Sequence, residues 1–245
     1  MVELNRPLRL IELSLPALKP GQVLVEVAYS GICHSQLNEV RGRKGPDRYL
    51  PHTLGHEGSG RVVAVGEGVS KVKAGDRVVL SWIKGRGADV TGTVYDSPEG
   101  AINSGAISTL VRQTVTCENR VIAIPGAMPL REAALLGCAV PTGAGIVFNT
   151  LRIEAGSSLA VFGVGGIGLS AVLAAVGLGA RPIIAVDVVA VKLDMASELG
   201  ATHVVNAGDI DPVAAVRELT RGEGVDFAIE AAGRAEAMEA AFESV

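Results

Sequence analysis

Three side chains of this 245-residue sequence could together hold a soft metal ion: Cys33, His56 and Cys138. Two thiolates and one imidazole suit Zn²⁺, and a set of three leaves a fourth coordination position for a reacting oxygen, as catalysis requires. They stand 23 and 82 residues apart, a spacing unlike that of any compact zinc finger. Residue type and spacing alone therefore leave a metal centre and ordinary buried cysteines both open. A second constellation is Gly163-Val164-Gly165-Gly166-Ile167-Gly168, which follows an apolar run, precedes a helical pattern and is succeeded nineteen residues later by Asp187. In that context the first glycine permits the strand-to-helix turn and the second lets backbone N–H groups approach a pyrophosphate. The third lets helix and strand pack closely. The helix N-terminus adds partial positive charge. Asp187, at the end of the next strand, can accept hydrogen bonds from ribose hydroxyls and would repel a 2′-phosphate, which favours NAD over NADP.

The elements that position these groups fall into two patterns. From Leu8 to about Pro125, short apolar runs alternate with polar residues between Gly, Pro, Asp and Lys clusters, as in residues 23–27 and 60–66. This predicts a β-rich domain with hairpin connections at Lys19-Pro20-Gly21 and at residues 73–77. Residues 84–105 are polar and glycine-rich and read as a long surface loop. Past Pro129 helix formers dominate, and strands at 158–162, 183–186, 203–205 and 225–230 then alternate with helices at 167–178, 191–199 and 212–220, as in βαβ units. The fold class is α/β, with domains at 1–145 and 146–245. Between Glu154 and Arg181 no charged residue occurs, which imitates a membrane span. A strand, a glycine turn and a helix account for the same letters.

Composition narrows the classes further. Of all residues, 48% are hydrophobic and 20% charged, and the 31 glycines exceed the usual share, as expected where backbones turn or approach closely. A formal charge of −4 with no long run of like charge offers no stripe for phosphate backbones or anionic lipid, so no nucleic-acid or membrane partner is expected. Three widely spaced cysteines make a poor disulfide framework, and the start, with Glu3 and Pro7, does not have the form of an export signal. A cytoplasmic location is the expectation.

Gly31-Ile32-Cys33-His34-Ser35, Leu54-Gly55-His56-Glu57-Gly58-Ser59-Gly60 and Gly137-Cys138-Ala139-Val140-Pro141-Thr142-Gly143 resemble the three zinc segments of zinc-dependent alcohol dehydrogenases of the medium-chain superfamily. Residues 65–69 and 75–78 resemble the GroES-like catalytic domain, and the likeness runs through essentially the whole chain. It implies a GroES-like catalytic domain followed by an incomplete Rossmann domain binding NAD. Cys33, His56 and Cys138 would bind zinc, Glu57 would lie beside it, and Ser35 would take the proton of the substrate hydroxyl. The cofactor would meet His34 at its pyrophosphate, Thr142 near the nicotinamide, Lys192 at the adenosine ribose, and the loop of Gly163, Gly165, Gly166 and Gly168. The implied reaction moves hydride from an alcohol to NAD⁺, giving an aldehyde or ketone.

The chain departs from that family in three places. Many relatives carry an Asp and a His three and five residues after the first zinc cysteine; here stand Gln36 and Asn38. Gln36 can still accept a hydrogen bond from His56 but brings no negative charge to it, and Asn38 cannot end a proton relay as histidine does. The stretch from Ile83 to Ser104 lacks the cysteines of a structural zinc, so one zinc per chain is expected. Relatives also continue well beyond Val245 and begin slightly earlier, which makes this a fragment or a shortened chain and puts the family's homo-oligomers in doubt. Beside alcohol oxidation stand polyol or amino-alcohol oxidation and a truncated, non-catalytic nucleotide-binding protein. A zinc-free quinone reductase would not need all three zinc-binding residues.

Overall fold

The computed structural model describes all residues from Met1 to Val245, and the chain divides into two units, Met1–Cys138 and Ala139–Val245.

In the first unit the alternating runs become strands β1 (Gln22–Ser30), β2 (Glu57–Val65) and β3 (Arg77–Ser81), with helix α1 (His34–Val40) after β1. A hairpin of β4 (Val94–Ser97) and β5 (Gly100–Asn103) follows, then β6 (Gln113–Cys117) and β7 (Val121–Ala123), and the short helix α2 (Leu130–Ala133), continued by a 3₁₀ turn to Gly137. The main sheet has the order β6-β1-β2-β3-β7 with every neighbour antiparallel. Its inward side chains Val23, Val25, Val62, Val78, Leu80 and Val121 form the core, as a period of two requires of a half-buried sheet. Register decides where the chemistry sits. Ser30 pairs with Gly58, and Glu57 pairs with Ser81, so the exit of β1, the entry of β2 and the exit of β3 lie at one end of the sheet.

The expectation of a surface loop over 84–105 needs correction. Residues 94–103 pair as the β4–β5 hairpin, and Tyr95 and Ile102 are buried. The Tyr95 hydroxyl accepts a hydrogen bond from the Val115 N–H at 2.8 Å, which ties the hairpin to β6. Polar, glycine-rich letters hid it because a short hairpin needs only one inward residue per strand to bury a face.

The second unit opens with α3 (Ala139–Gly145) and a wider helical turn to Leu151. It continues as β8 (Leu159–Phe162), α4 (Gly166–Leu178), β9 (Ile183–Asp187), α5 (Ala190–Glu198), β10 (His203–Asn206), α6 (Pro212–Leu219), β11 (Phe227–Glu230) and α7 (Ala235–Glu243). Boundaries agree with the expected elements to within about two residues, and α7 was not anticipated. The sheet is parallel with the order β10-β9-β8-β11. Alternate residues feed two cores: Leu159, Val161, Ile183 and Ala185 pack with Ala171, Val172 and Leu193, whereas Ala160, Phe162, Ile184 and Val186 pack with Val216 and Ala241. Both faces are thus covered, as in doubly wound sheets, and continuous apolar strands follow from that. The charge-free stretch 154–181 is the β8–α4 unit, and no single helix is long and apolar enough to cross a membrane.

Candidate functional site

The sheet end of the first unit gathers the predicted ligands. Cys33 caps α1 from the N-terminal side, His56 immediately precedes β2, and Cys138 follows the 3₁₀ turn that ends at Gly137. One ligand atom from each lies within 4.8 Å of the others. Ser81 Oγ donates to the Gly137 carbonyl at 2.6 Å, holding the segment before Cys138 against β3. Glycines let the segments close around Glu57: a Cβ on Gly31 would stand 2.1 Å from Glu57 Oε1, and one on Gly137 would stand 2.3 Å from the Leu80 carbonyl and 2.8 Å from Glu57 Cβ. Gly55, with φ of +100°, makes the bend before His56 that other residues resist. Glu57 is buried there, next to the histidine ligand in sequence.

The donor set fits a zinc ion. His56 Nε2 is buried and has no hydrogen-bond partner, while Nδ1 is engaged by Gln36 Nε2 at 2.8 Å. Burial of an imidazole nitrogen without a partner is unfavourable, and a ligand bound at Nε2 would remove that cost. Burial, with the Lys44 charge adding to it, pushes the His56 imidazole below its ordinary pKa against the opposing influence of Glu57 and Glu39, which favours the neutral ring a metal needs. The lone tryptophan adds an unforeseen contact: Trp82 Nε1–H donates to Cys138 Sγ at 3.3 Å. Such a donor stabilises a thiolate. No sequence pattern pointed to Trp82, since it stands 56 residues from Cys138.

Gln36 is the expected partner of His56, but its amide is pinned. The Cys33 N–H can only donate, and it donates to Gln36 Oε1 at 2.8 Å. The amide NH₂ therefore faces His56 Nδ1, which must accept, so the neutral ring carries its proton on Nε2. A metal at Nε2 requires the other tautomer. Loading then entails turning the Gln36 amide and giving up its bond from Cys33 N–H. Asn38 contributes no contact that could replace a relay histidine: its Oδ1 is buried without a partner.

His34 is exposed at the first position of α1, and Ser35 follows it, half-buried. Ser35 Oγ accepts a hydrogen bond from Lys44 Nζ at 2.9 Å, a contact the sequence did not suggest. Lys44 also approaches Glu39 Oε2 at 3.4 Å. Behind Glu39 lie His52 and Asp47. His52 Nε2 is 2.9 Å from Asp47 Oδ2 and 3.6 Å from Glu39 Oε1, and its Nδ1 is 2.6 Å from the Thr53 carbonyl. Against the cost of its burial, hydrogen bonds from the Tyr49 N–H and His52 hold the Asp47 carboxyl below the usual range. A cavity of about 420 Å³ is lined by this group together with Gln36 and His56.

In the second unit the nucleotide motif stands at the carboxyl end of β8. Gly163 has φ of +88°, and its Cβ would meet the Ala232 N at 2.5 Å. A Cβ on Gly168 would lie 2.0 Å from the Gly163 carbonyl. Both positions admit only glycine. Gly165 differs, because nothing lies within 4 Å of its would-be Cβ, and Gly166 opens α4. Asp187 ends β9 and is bound to the loop: Oδ2 accepts from Val164 N–H at 3.0 Å, and Oδ1 accepts from Val188 and Val189 N–H at 2.8 and 3.0 Å. Lys192 Nζ, on α5, is 3.6 Å from Asp187 Oδ2. Thr142 lies on α3, whose Gly143 packs closely on α4, since a Cβ there would stand 2.1 Å from the Ile167 carbonyl.

An antiparallel sheet with a cysteine–histidine triad at one end, followed by a doubly wound unit with a glycine-rich turn and an acidic residue at a strand end, defines the class of metal-dependent, nucleotide-linked dehydrogenases. Residues 19–126 match the model of the alcohol dehydrogenase GroES-like domain, and residues 166–245 match that of the zinc-binding dehydrogenases. The S-(hydroxymethyl)glutathione dehydrogenase of Synechocystis is 34% identical over 98% of this chain and 72% of its own length. The putative alcohol dehydrogenase D of Mycobacterium tuberculosis is 35% identical over 94% of this chain and 68% of its own. Among solved structures, an alcohol dehydrogenase zinc-binding domain protein from Burkholderia ambifaria superposes with a TM-score of 0.90 at 35% identity, covering 100% of this chain and 72% of the other. The benzyl alcohol dehydrogenase of Acinetobacter calcoaceticus gives 0.83 at 34%, covering 95% and 69%. The chain belongs to the zinc-dependent alcohol dehydrogenases of the medium-chain superfamily. It is an oxidoreductase of a family that works with zinc and NAD, and the likeness favours catalysis over the non-catalytic reading.

Proposed function

We propose that this chain oxidises a small alcohol with NAD⁺ at a single zinc centre formed by Cys33, His56 and Cys138, the chain carrying no second, structural zinc. The observation that carries the reading is that His56, Cys33 and Cys138 each bring a ligand atom within 4.8 Å of the others while His56 Nε2 is buried without a partner. Zinc held there would supply Lewis acidity, lowering the pKa of an alcohol hydroxyl, and NAD⁺ would supply the hydride acceptor. The protein's own groups do the rest. Ser35 Oγ receives the hydroxyl proton and passes its own to solvent. Trp82 donates a hydrogen bond to the Cys138 sulfur, and Gln36 meets His56 at Nδ1. Glu57, buried beside His56, is placed to approach when water or product exchanges.

On the second unit, the turn of Gly163, Gly165, Gly166 and Gly168 at the N-terminus of the thirteen-residue α4 would hold the pyrophosphate. Thr142 would lie by the nicotinamide, and Asp187 and Lys192 would take the adenosine ribose. Asp187 already accepts three backbone N–H bonds, so its carboxylate is held ready and its charge disfavours a 2′-phosphate. The first unit, Met1–Cys138, would serve alcohol and zinc, and the second, Ala139–Val245, NAD. The partners are small alcohols and their aldehydes or ketones, and a cytoplasmic setting suits the three cysteines.

The test is NADH formation by the zinc-loaded chain with primary, secondary and polyhydric alcohols, repeated after chelation and reloading. Turnover that disappears with the metal and returns with it supports the proposal. Retention of full turnover without metal contradicts it, as does NAD⁺ binding with no turnover on any alcohol.

A further inference from the structure

The first unit holds a cation whose role the reaction described above does not use. Lys44 lies on the loop after α1, nine residues from Ser35, and its Nζ donates to Ser35 Oγ at 2.9 Å. An ammonium carries donors only, so Ser35 must accept at this contact, and its own O–H is directed away from Lys44. The side chain of Lys44 is 52% exposed, and a lone surface pair with Glu39 would do little to hold it. Glu39, however, is 28% exposed and backed by His52, itself fixed by Asp47 and the Thr53 carbonyl. The ammonium thus stands against Glu39, with His52 and its partner Asp47 behind it. Asn38, which stands where many relatives carry a relay histidine, offers no such charge.

We propose that Lys44 is a positioning residue for alcohol deprotonation: through Ser35 it orients the proton-accepting hydroxyl and stabilises the negative charge that develops on the alcohol oxygen. The inference rests on the reading of Ser35 as the hydroxyl that meets the alcohol. In the step itself the alcohol proton passes to Ser35 Oγ while Ser35 releases its own proton to solvent water. Lys44, already fully protonated, takes none. Its contribution is a charge-assisted hydrogen bond that strengthens as the Ser35 and alcohol oxygens become electron-rich.

The test compares the zinc-loaded wild type with Lys44→Met, Lys44→Arg and Ser35→Ala. One readout is the pH profile of kcat for alcohol oxidation. Another is the calorimetric affinity of the NAD⁺-loaded protein for acetate and for acetamide, which differ in the charge on oxygen. Glu39, Asp47 and His56 feel the Lys44 charge, His52 stands behind Glu39, and the arginine variant keeps that charge. Lys44→Met should move the rise of kcat about one pH unit upward and lower kcat about tenfold below it, with KM within about twofold. It should weaken acetate about tenfold and leave acetamide unchanged, and Lys44→Arg should recover most of both effects. Zinc content equal to that of the wild type shows that the centre is intact. A Lys44→Met variant with wild-type kcat profile and acetate affinity overturns the proposal. A Ser35→Ala variant with full kcat overturns the reading of Ser35, and the proposal with it. A Ser35→Ala variant that loses kcat while Lys44→Met keeps it overturns the role of Lys44 alone.

Discussion

At the level of single residues, the account turns on what each donor atom faces. His56 is served by an amide whose orientation the Cys33 N–H dictates, so zinc binding must break one hydrogen bond to gain another. Replacing Gln36 by Glu removes that conflict, because a carboxylate can accept from Cys33 N–H with one oxygen and from Nδ1–H with the other. Gln36→Glu should therefore raise zinc affinity, by about tenfold or more, in competition with a chromophoric chelator. Affinity equal to or below that of the wild type would show that the amide does not oppose loading. The glycine motif was legible because it depends on residue type within one short segment, whereas the triad, spread from residue 33 to 138, was legible only through the resemblance of its three segments to zinc dehydrogenases. Trp82 and the pinned Gln36 amide were not, because their contacts with Cys138 and His56 join segments 56 and 20 residues apart, and Lys44 was not, because its bond to Ser35 depends on how the loop after α1 folds back. Asp187 was legible as an acid at a strand end, but its three backbone N–H donors were not.

At the level of elements, the segments around the sites are held by glycine turns and by one buried carboxylate. Gly163 and Gly165 make opposite predictions. Alanine at 163 would collide with the Ala232 backbone in a left-handed conformation and should destabilise the β8–α4 turn by about 2 kcal/mol or more. Alanine at 165 meets no protein atom and should leave stability unchanged, yet weaken NADH binding about tenfold, measured by fluorescence titration, because its methyl occupies the place of the pyrophosphate. Loss of stability without loss of binding at 165 would remove that glycine from the nucleotide site.

The second element-level device is Glu118, which replaces nothing the sequence had announced. Its carboxylate accepts from the Ser70, Lys71 and Ala88 N–H groups and the Ser70 hydroxyl, and Lys71 Nζ reaches the Arg86, Glu118 and Val121 carbonyls. The stretch whose relatives often carry a structural zinc is thus tied to the sheet by a carboxylate. Burial would raise the Glu118 pKa, but these hydrogen bonds hold it down to about 2, below its ordinary 4.5. A folded-state value below the unfolded one means that the stabilisation is present above pH 4.5 and is lost as pH falls toward 2. Glu118→Gln should cost about 2–4 kcal/mol at neutral pH in denaturant unfolding followed by Trp82 fluorescence, and should flatten the acid limb of the stability curve. An unchanged acid limb would show that another carboxylate controls it.

At the level of the whole molecule, each unit was legible as a class, the β-rich half from its period of two and the α/β half from alternating strands and helices. The β4–β5 hairpin was the exception, since its polar letters carry only two buried residues, Tyr95 and Ile102. What the molecule does as a whole rests on the metal, and zinc content tests this most directly. Metal analysis of the purified chain should return one zinc per wild-type molecule and none in Cys138→Ala or His56→Ala, with all three proteins showing the same circular dichroism. Two zinc ions in the wild type, or one retained by both variants, would contradict the account.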